Sequence, residues 1–446
     1  IKVSLRPVPE QPGDVVIVLG IVEQSTGQVS GGLGYSQSQG VFGQVQLQDT
    51  NLLGRAWNLG LNVTYGQYGA LANVNFTDPW IYGDSHRTSF RGSLFISQQV
   101  PQVFQSEDSG NIRTVDGYAD NGNKYAYNIN QDNNPADDTF NSVNKAEKEF
   151  PDRSWFDYEG DAVALRRIGG SFSFSRPLNG GDPFKSTPWR ALAGLSIANV
   201  RPINFAGESR PYGVSTSNFK NGKVKNKDII CVGFNCADSN DLVGLRLATT
   251  YNNLNDARNP TEGSFFTLST EQFIGVNEDS PTFNRLRGSY TRFFPVNWLK
   301  LHKGCRPKPG EQADCPQAIG FQVKGGKILG EAPAYEAFCM GGSNSIRGWY
   351  DCDLAVSKAF GEVTLEYRFP IISIFQGEVF VDAGTDFDTQ SSVPGKPGLL
   401  LGKDGSGVSV GTGVIVKTPV GPLRMEVASK DFTGDWRFNL GVGWKF

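Results

Sequence analysis

Alternation of apolar and polar residues constrains this chain more than any other feature. In Trp57-Asn58-Leu59-Gly60-Leu61-Asn62-Val63-Thr64-Tyr65 every odd position is apolar and every even one is small or polar. The C-terminal stretch repeats the pattern. Trp436, Phe438, Leu440, Val442, Trp444 and Phe446 fall on one face, against Arg437, Asn439, Gly441, Gly443 and Lys445. A period of two marks a strand with two unlike faces. In a soluble sandwich so aromatic a terminal strand would need a second sheet over it. In a membrane the stripe can face lipid, with aromatics near the interfaces.

Composition agrees with the membrane reading. No stretch approaches the roughly 18 consecutive apolar residues of a transmembrane helix. A hydrophobic content of 38% does not speak against a barrel, whose strands average apolar-out with polar-in. The net charge of −3 argues against nucleic acid as a partner.

Runs of this kind predict an all-β fold, a 16-stranded antiparallel transmembrane β-barrel. The expected strands cover 29–38, 41–49, 57–66, 71–79, 87–98, 162–175, 189–200, 243–252, 264–275, 284–294, 319–330, 357–369, 377–387, 406–417, 422–430 and 436–446. An even count puts both ends of the barrel on one side. Connections after odd strands (99–161, 202–242, 331–356, 388–405) are mostly long and polar, and those after even strands mostly short, as in outer-membrane barrels. The exception is 295–318, a long turn on the short side. The Asp-, Asn- and Gly-rich stretch 106–160 reads as a surface loop excursion, or else as a disordered insert. The barrel is expected over 29–446. Residues 1–28 do not match it: Asp14 to Glu23 is a dense β-branched run preceded by prolines, too short to fold alone. With no Met and no leader at Ile1, they are expected to be the tail of an upstream domain.

Catalytic chemistry finds little support. His86 and His302 are the two histidines, and neither stands in a nucleophile or metal-spaced context. Phosphate loops and Cys-x-x-Cys pairs are missing, so the expectation is no enzyme, no cofactor and no metal. Six cysteines occur as local pairs, Cys231/Cys236, Cys305/Cys315 and Cys339/Cys352, all in predicted connections and none in a strand. That spacing favours sequential bridges in an oxidising compartment, with free thiols as the alternative. A Cys339–Cys352 bridge would bracket the loop that carries Arg347 and stabilise it by about 3 kcal/mol on chain entropy.

That loop, Gly341-Gly342-Ser343-Asn344-Ser345-Ile346-Arg347-Gly348-Trp349, sets one arginine among small, turn-forming residues. Parity on the next two strands supplies acids. If Val363, Leu365, Tyr367 and Phe369 face out, then Glu362, Thr364, Glu366 and Arg368 face the lumen. Likewise Val379 and Val381 out place Glu378 and Asp382 in. A loop folded inward would bring the guanidinium within bidentate reach of carboxylates; otherwise these are merely solvated lumen acids. The first strand holds Gly31, Gly32 and Gly34, which weaken it. It must close against 436–446, so these glycines mark a weak lateral seam or else a tight bend.

On these residues the chain resembles the BamA/TamA/Toc superfamily of outer-membrane assembly and translocation barrels, over nearly its whole length. Ile346-Arg347-Gly348-Trp349 is similar to the family's loop-six motif Val-Arg-Gly-Phe/Tyr, with Ile and Trp as departures. Phe380-Val381-Asp382-Ala383-Gly384 is similar to its Phe-x-Asp-x-Gly motif, and Leu365-Glu366-Tyr367 to the segment supplying a second acid. Asp49 to Arg55 and Asp256 to Pro260 are similar to family turn motifs. Asn439, Gly441, Trp444 and Phe446 resemble the signal by which such barrels are recognised for insertion.

The resemblance implies that residues 1–28 end the last periplasmic POTRA domain. It also implies a seam between first and last strands, around Gly31, Gly32, Gly34, Gly441 and Gly443, and a loop-six latch of Ile346 to Trp349 held by Glu366 and Asp382. Expected partners are unfolded outer-membrane client proteins, outer-membrane lipid or lipopolysaccharide, and accessory periplasmic proteins. Residues 23–27 running straight into the first strand, with the cysteine-bearing loops, look most like the cyanobacterial branch related to chloroplast import channels. The implied location is a Gram-negative-type outer membrane, or alternatively a plastid outer envelope. The implied activity is insertion and folding of β-barrel proteins; a polypeptide-translocating channel and a passive porin are the rivals.

Overall fold

Every expected strand falls on a strand of one 16-stranded sheet in the computed structural model. It describes residues 2–7, 15–20, 25–36, 40–67, 69–107, 110–120, 123–127, 162–182, 184–204, 207–215, 229–257, 259–306, 310, 315–372, 374–418 and 421–445. In chain order the sheet strands are β1 (Gly27–Ser36), β2 (Gly40–Leu52), β3 (Trp57–Gly66), β4 (Gly69–Asp78), β5 (Ser89–Gln99), β6 (Ala164–Pro177), β7 (Trp189–Ile203) and β8 (Asn240–Asn252). The second half is β9 (Gly263–Ile274), β10 (Phe283–Pro295), β11 (Ala318–Gly330), β12 (Ala359–Ile372), β13 (Phe375–Thr385), β14 (Ser406–Thr418), β15 (Gly421–Lys430) and β16 (Trp436–Val442). Each pairs antiparallel with its neighbours in the chain, a continuous meander. No helix among the described residues is long and apolar enough to cross a membrane.

The two faces are the reverse of a soluble sheet. On β12, Glu362, Thr364, Glu366 and Arg368 are buried while Val363 and Leu365 are exposed; on β13, Glu378 and Asp382 are buried while Val379 and Val381 are exposed. Apolar-out and charged-in is the pattern of strands that face lipid. The main hydrophobic core lies instead at the long-loop end, where Phe104, Ile112, Val232, Phe338, Val356 and Leu401 pack together. The loops there add a small sheet in the order 229–231, 212–215, 112–120, 123–127. The excursion expected over 106–160 therefore begins as sheet; residues 128–161 lie outside the described residues. At the N-terminus, Lys2–Pro7 and Val15–Gly20 form an antiparallel hairpin separate from the main sheet.

Three expectations need correction. The last strand ends at Val442 rather than Phe446, because Gly443 takes φ +89° and breaks the alternation. Glycine enters that left-handed region without a Cβ clash. Trp444 consequently leaves the outer face assigned to it and lies 4.5 Å from the Arg368 guanidinium, while Lys445 is buried. Phe446 lies outside the described residues. The second correction concerns closure. β1 and β16 are the two ends of the sheet and share no pairing among the described residues. Gly31, Gly32 and Gly34 all stay out of the positive-φ region, so a tight bend is not their role.

The third correction concerns the cysteines, all expected outside strands. Cys231 instead ends the short strand Ile229–Cys231 and Cys339 lies within Phe338–Met340, because the long loops build small sheets of their own. Cys236 lies outside any strand, as expected. It closes a 3-10 turn over Phe234–Cys236, and both Asn235 (φ +53°) and Cys236 (φ +55°) are left-handed, which is uncommon for residues with a Cβ. The reason is the short span. With a sequence separation of 5, the chain must reverse tightly to bring Cys236 back beside Cys231, at a Cα–Cα distance of 4.7 Å.

Candidate functional site

Residues 331–358, between β11 and β12, form the loop that carries Arg347. Phe338–Met340 pairs with Ala355–Ser357, and Cys339 and Cys352 lie at disulfide distance across this hairpin. Beyond it the chain closes a compact tip: the Gly342 amide donates to the Trp349 carbonyl (3.1 Å) and the Gly341 amide to Ser345 Oγ (3.0 Å). Met340, Ile346, Trp349, Leu354 and Ala355 make an apolar cluster of their own. The barrel wall leaves room for it, since a Cβ on Gly384 would strike Ile346 and one on Gly407 would strike the Trp349 ring. Trp349 Nε1 donates to Asp404 (2.9 Å), which accommodates the indole that replaces the smaller aromatic of the motif.

The tip delivers Arg347 into the barrel, where its side chain is fully buried. Nε and Nη2 donate to Asp382 Oδ2 (2.8 Å) and Oδ1 (3.0 Å), a bidentate fork. Nη1 donates to Glu366 Oε2 and to Glu426 Oε1, both at 2.9 Å, and the guanidinium carbon lies 3.2 Å from the centre of the Phe380 ring. The two expected acceptors are therefore both in place, joined by a third. Glu426 was legible by the same argument: on β15, Met425 and Val427 facing out turn Arg424 and Glu426 in.

A second group of contacts ties the chain's end to this cluster. Lys445 Nζ donates to Asp382 Oδ1 (2.6 Å) and Thr364 Oγ1 (3.0 Å). Arg424 donates through Nε to the Gly443 carbonyl (2.8 Å), through Nη2 to Asn344 Oδ1 (2.7 Å) and through Nη1 to the Ser343 carbonyl (3.2 Å) and Glu426 (3.0 Å). Gly441 has no Cβ to obstruct that guanidinium, which would sit against one. Strand parity set Lys445 on the face opposite the aromatic stripe but could not name its partners, because the turn at Gly443 intervenes.

Nearer the long-loop end, Glu336 reverses the polarity of the Arg347 contact. It is a buried loop acid held by wall arginines, Arg285 Nη1 at 2.6 Å and Arg167 Nη1 at 2.8 Å. Arg285 Nη2 also reaches Glu271 (2.9 Å). Alternation could show these arginines facing the lumen but not which loop residue meets them. Cys231 lies at disulfide distance from Cys236, and Cys305 from Cys315, so the sequential pairing expected from spacing holds. Cys236 is half-buried in its own turn, and neither pair takes part in the Arg347 contacts. His86 sits 3.5 Å from Asp84 in a turn, and His302 Nδ1 accepts from the Gly304 amide (3.1 Å). Among the described residues no group of three or more His, Cys, Asp or Glu side chains is placed to hold a metal.

Chemically the arrangement is a holder. Burying one member of such a set alone costs several kcal/mol, so each charge depends on its partners staying in place. A loop seated by these contacts is fixed in register and orientation.

The chain is similar to known proteins in both sequence and fold. Residues 51–446 match the Omp85 superfamily domain. The chain is 27% identical over 99% of its length to outer envelope protein 80, chloroplastic, of Arabidopsis thaliana, covering 49% of that protein. To the protein of the same name from rice, Oryza sativa subsp. japonica, it is 24% identical over 98% of its length, covering 54%. It thus spans about half the length of these relatives. In fold it resembles the crystal structure of BamA from Haemophilus ducreyi lacking POTRA domains 1–3, with a TM-score of 0.58 at 17% identity, over 98% of this chain and 73% of that one. CdiB from Acinetobacter baumannii follows, with a TM-score of 0.52 at 12% identity over 98% of this chain and 64% of that one.

Proposed function

The chain belongs to the Omp85 superfamily, and from that premise we propose that its barrel inserts and folds other β-barrel proteins at the seam between β1 and β16. The observation that carries this reading is the state of β1. Among the described residues it pairs with β2 alone, and its apolar Val29 and Leu33 are 78% and 89% exposed. A free strand edge offers unpaired N–H and C=O groups that a client strand can join by β-augmentation. Loop six, seated by Arg347 on Glu366, Asp382 and Glu426, acts as a latch that keeps the loop in the lumen. It is not a catalyst.

A loop tip seated inside the barrel by Arg347 favours the seam over a translocation route through the pore, and it equally disfavours a passive porin. Residues 1–28, which contain the hairpin of Lys2–Pro7 and Val15–Gly20, are read as the end of a last POTRA domain, and Asn439, Gly441, Trp444 and Phe446 as an insertion signal. Clients are unfolded outer-membrane proteins, with membrane lipid and accessory periplasmic proteins as further partners. The membrane is a cyanobacterial-type outer membrane or a plastid outer envelope, an oxidising face of which suits the cysteine pairs.

Photocrosslinkers at Val29 and Leu33, and others at lumen-facing Glu362 and Asn439, test this in reconstituted vesicles supplied with a client. Client adducts at β1 but not in the lumen are expected; the reverse pattern means translocation. Arg347→Ala should leave the barrel folded, open loop six to protease and lower client insertion. Unchanged protease access together with unchanged insertion would sink the latch.

A further inference from the structure

The turn between β10 and β11, residues 296–317, lies on the side where most other turns are short, and neither latch nor seam uses it. Its described residues are nonetheless firmly built. Buried Gln317 is its hub: Oε1 accepts from the Trp298 and Leu299 amides (3.1 Å each) and from Tyr367 Oη (2.7 Å), while its amide group donates to the Leu299 carbonyl. Cys305 and Cys315 staple the far end, next to a 3-10 turn over Lys303–Cys305.

This scaffold displays apolar side chains rather than hiding them. Trp298 is 64% exposed and Leu301 58%, with Leu299 beside them. The Trp298 ring packs 5.2 Å from that of Tyr367, which belongs to the outward row Val363, Leu365, Tyr367 and Phe369. Trp298 therefore extends the lipid-facing wall beyond the end of the strands. Lys300, Lys303 and Arg306 are exposed around it. An indole with one apolar body and one polar N–H, flanked by cations, suits the headgroup layer of a bilayer, and each basic residue near an anionic surface adds to the attraction.

We propose that this turn is an interfacial anchor: Trp298, Leu299 and Leu301 seat in the leaflet on the short-turn side, and Lys300, Lys303 and Arg306 bind anionic phospholipid headgroups. Contact with the outward row of β12 places the patch at the lipid boundary, and its basic rim complements acidic headgroups.

The test uses the full chain in nanodiscs of phosphatidylcholine, with or without phosphatidylglycerol. A fluorophore on Leu301→Cys is compared with one on Ser186→Cys, an exposed residue of another short-side turn, each read by nitroxide-lipid and aqueous iodide quenching. Lipid quenching at 301 but not at 186 is expected, stronger with phosphatidylglycerol. Lys300→Glu, Lys303→Glu and Arg306→Glu together should erase that increment, with roughly a fivefold loss of preference for each charge removed. Native mass spectrometry of the unlabelled protein should show the same loss of retained phosphatidylglycerol. Iodide quenching equal to that at 186 overturns the proposal. So does a label shielded from both quenchers, which means that protein covers the turn, and so does lipid quenching that is equal in both membranes.

Discussion

Lys445 and Arg347 share one carboxylate: Asp382 Oδ1 accepts from Lys445 Nζ at 2.6 Å and from Arg347 Nη2 at 3.0 Å, while Oδ2 takes Arg347 Nε at 2.8 Å. The inward-turned end of the edge strand and the tip of loop six are thus fastened to the same point of β13. Arg424 repeats the connection, bonding the Gly443 carbonyl on one side and Asn344 on the other.

Lys445→Met tests this shared fastening. Asp382 keeps Arg347, so the variant loses a charge-assisted hydrogen bond rather than stranding a charge, a cost of about 1.5–3 kcal/mol. Faster hydrogen exchange over 436–445, with loop six still protected from protease, is the expected result. Unaltered exchange there would mean that Lys445 does not hold the strand end.

Glu336→Gln addresses the other electrostatic anchor of the loop. Glutamine keeps the shape but removes the charge that faces Arg285 and Arg167; Arg285 retains Glu271. A loss of about 1–3 kcal/mol follows, expressed locally as easier proteolysis within 331–340. Because Arg347 is untouched, the tip at 342–349 should stay protected. Loss of protection at both places would show that the two anchors work as one unit.

Cys339→Ser with Cys352→Ser removes the bridge across a sequence separation of 13. Chain entropy gives about 3 kcal/mol for a loop of that size. The double variant should unfold at lower denaturant than the parent, and reductant should lower the parent's midpoint as well. Equal midpoints in oxidised parent and variant would remove the bridge from the account of loop stability.

Much of this was legible because a strand has two faces. Alternation on β12 and β13 was enough to turn Glu366 and Asp382 inward, and the same rule applied to β15 turns Glu426 inward too, although the expected acceptors did not include it. It failed at Trp444 because Gly443 at φ +89° ends the period of two, and no residue pattern announces a single left-handed glycine. Cysteine spacing likewise paired Cys231 with Cys236 but missed the left-handed 3-10 turn that Cys236 closes, since spacing carries no backbone angles. Alternation could not find Glu336 or Lys403, which sit in loops: Glu336 meets arginines of distant strands, and Lys403 the carbonyl of Cys352 in another loop. Closure was out of reach for a related reason. Pairing of β1 with β16 depends on backbone groups, which side-chain alternation does not encode.

Lys403, in the loop between β13 and β14, makes stability of the long-loop end depend on pH. It is buried, and Nζ donates to the Cys352 carbonyl at 2.7 Å. Loss of hydration pushes its pKa down to about 7 from the ordinary 10.5, an effect that nearby Asp353 only partly offsets. Between those values the unfolded loop holds a proton that the folded loop does not, so stability rises with pH across that window. The penalty grows as pH falls from 10.5 and is complete below 7, where both states are protonated. Thermal unfolding of the long-loop end, followed by near-UV circular dichroism, should therefore shift upward from pH 7 toward 10. Lys403→Met, which keeps the stem and drops the amine, should flatten that dependence. A variant that retains the full slope would assign it to another group.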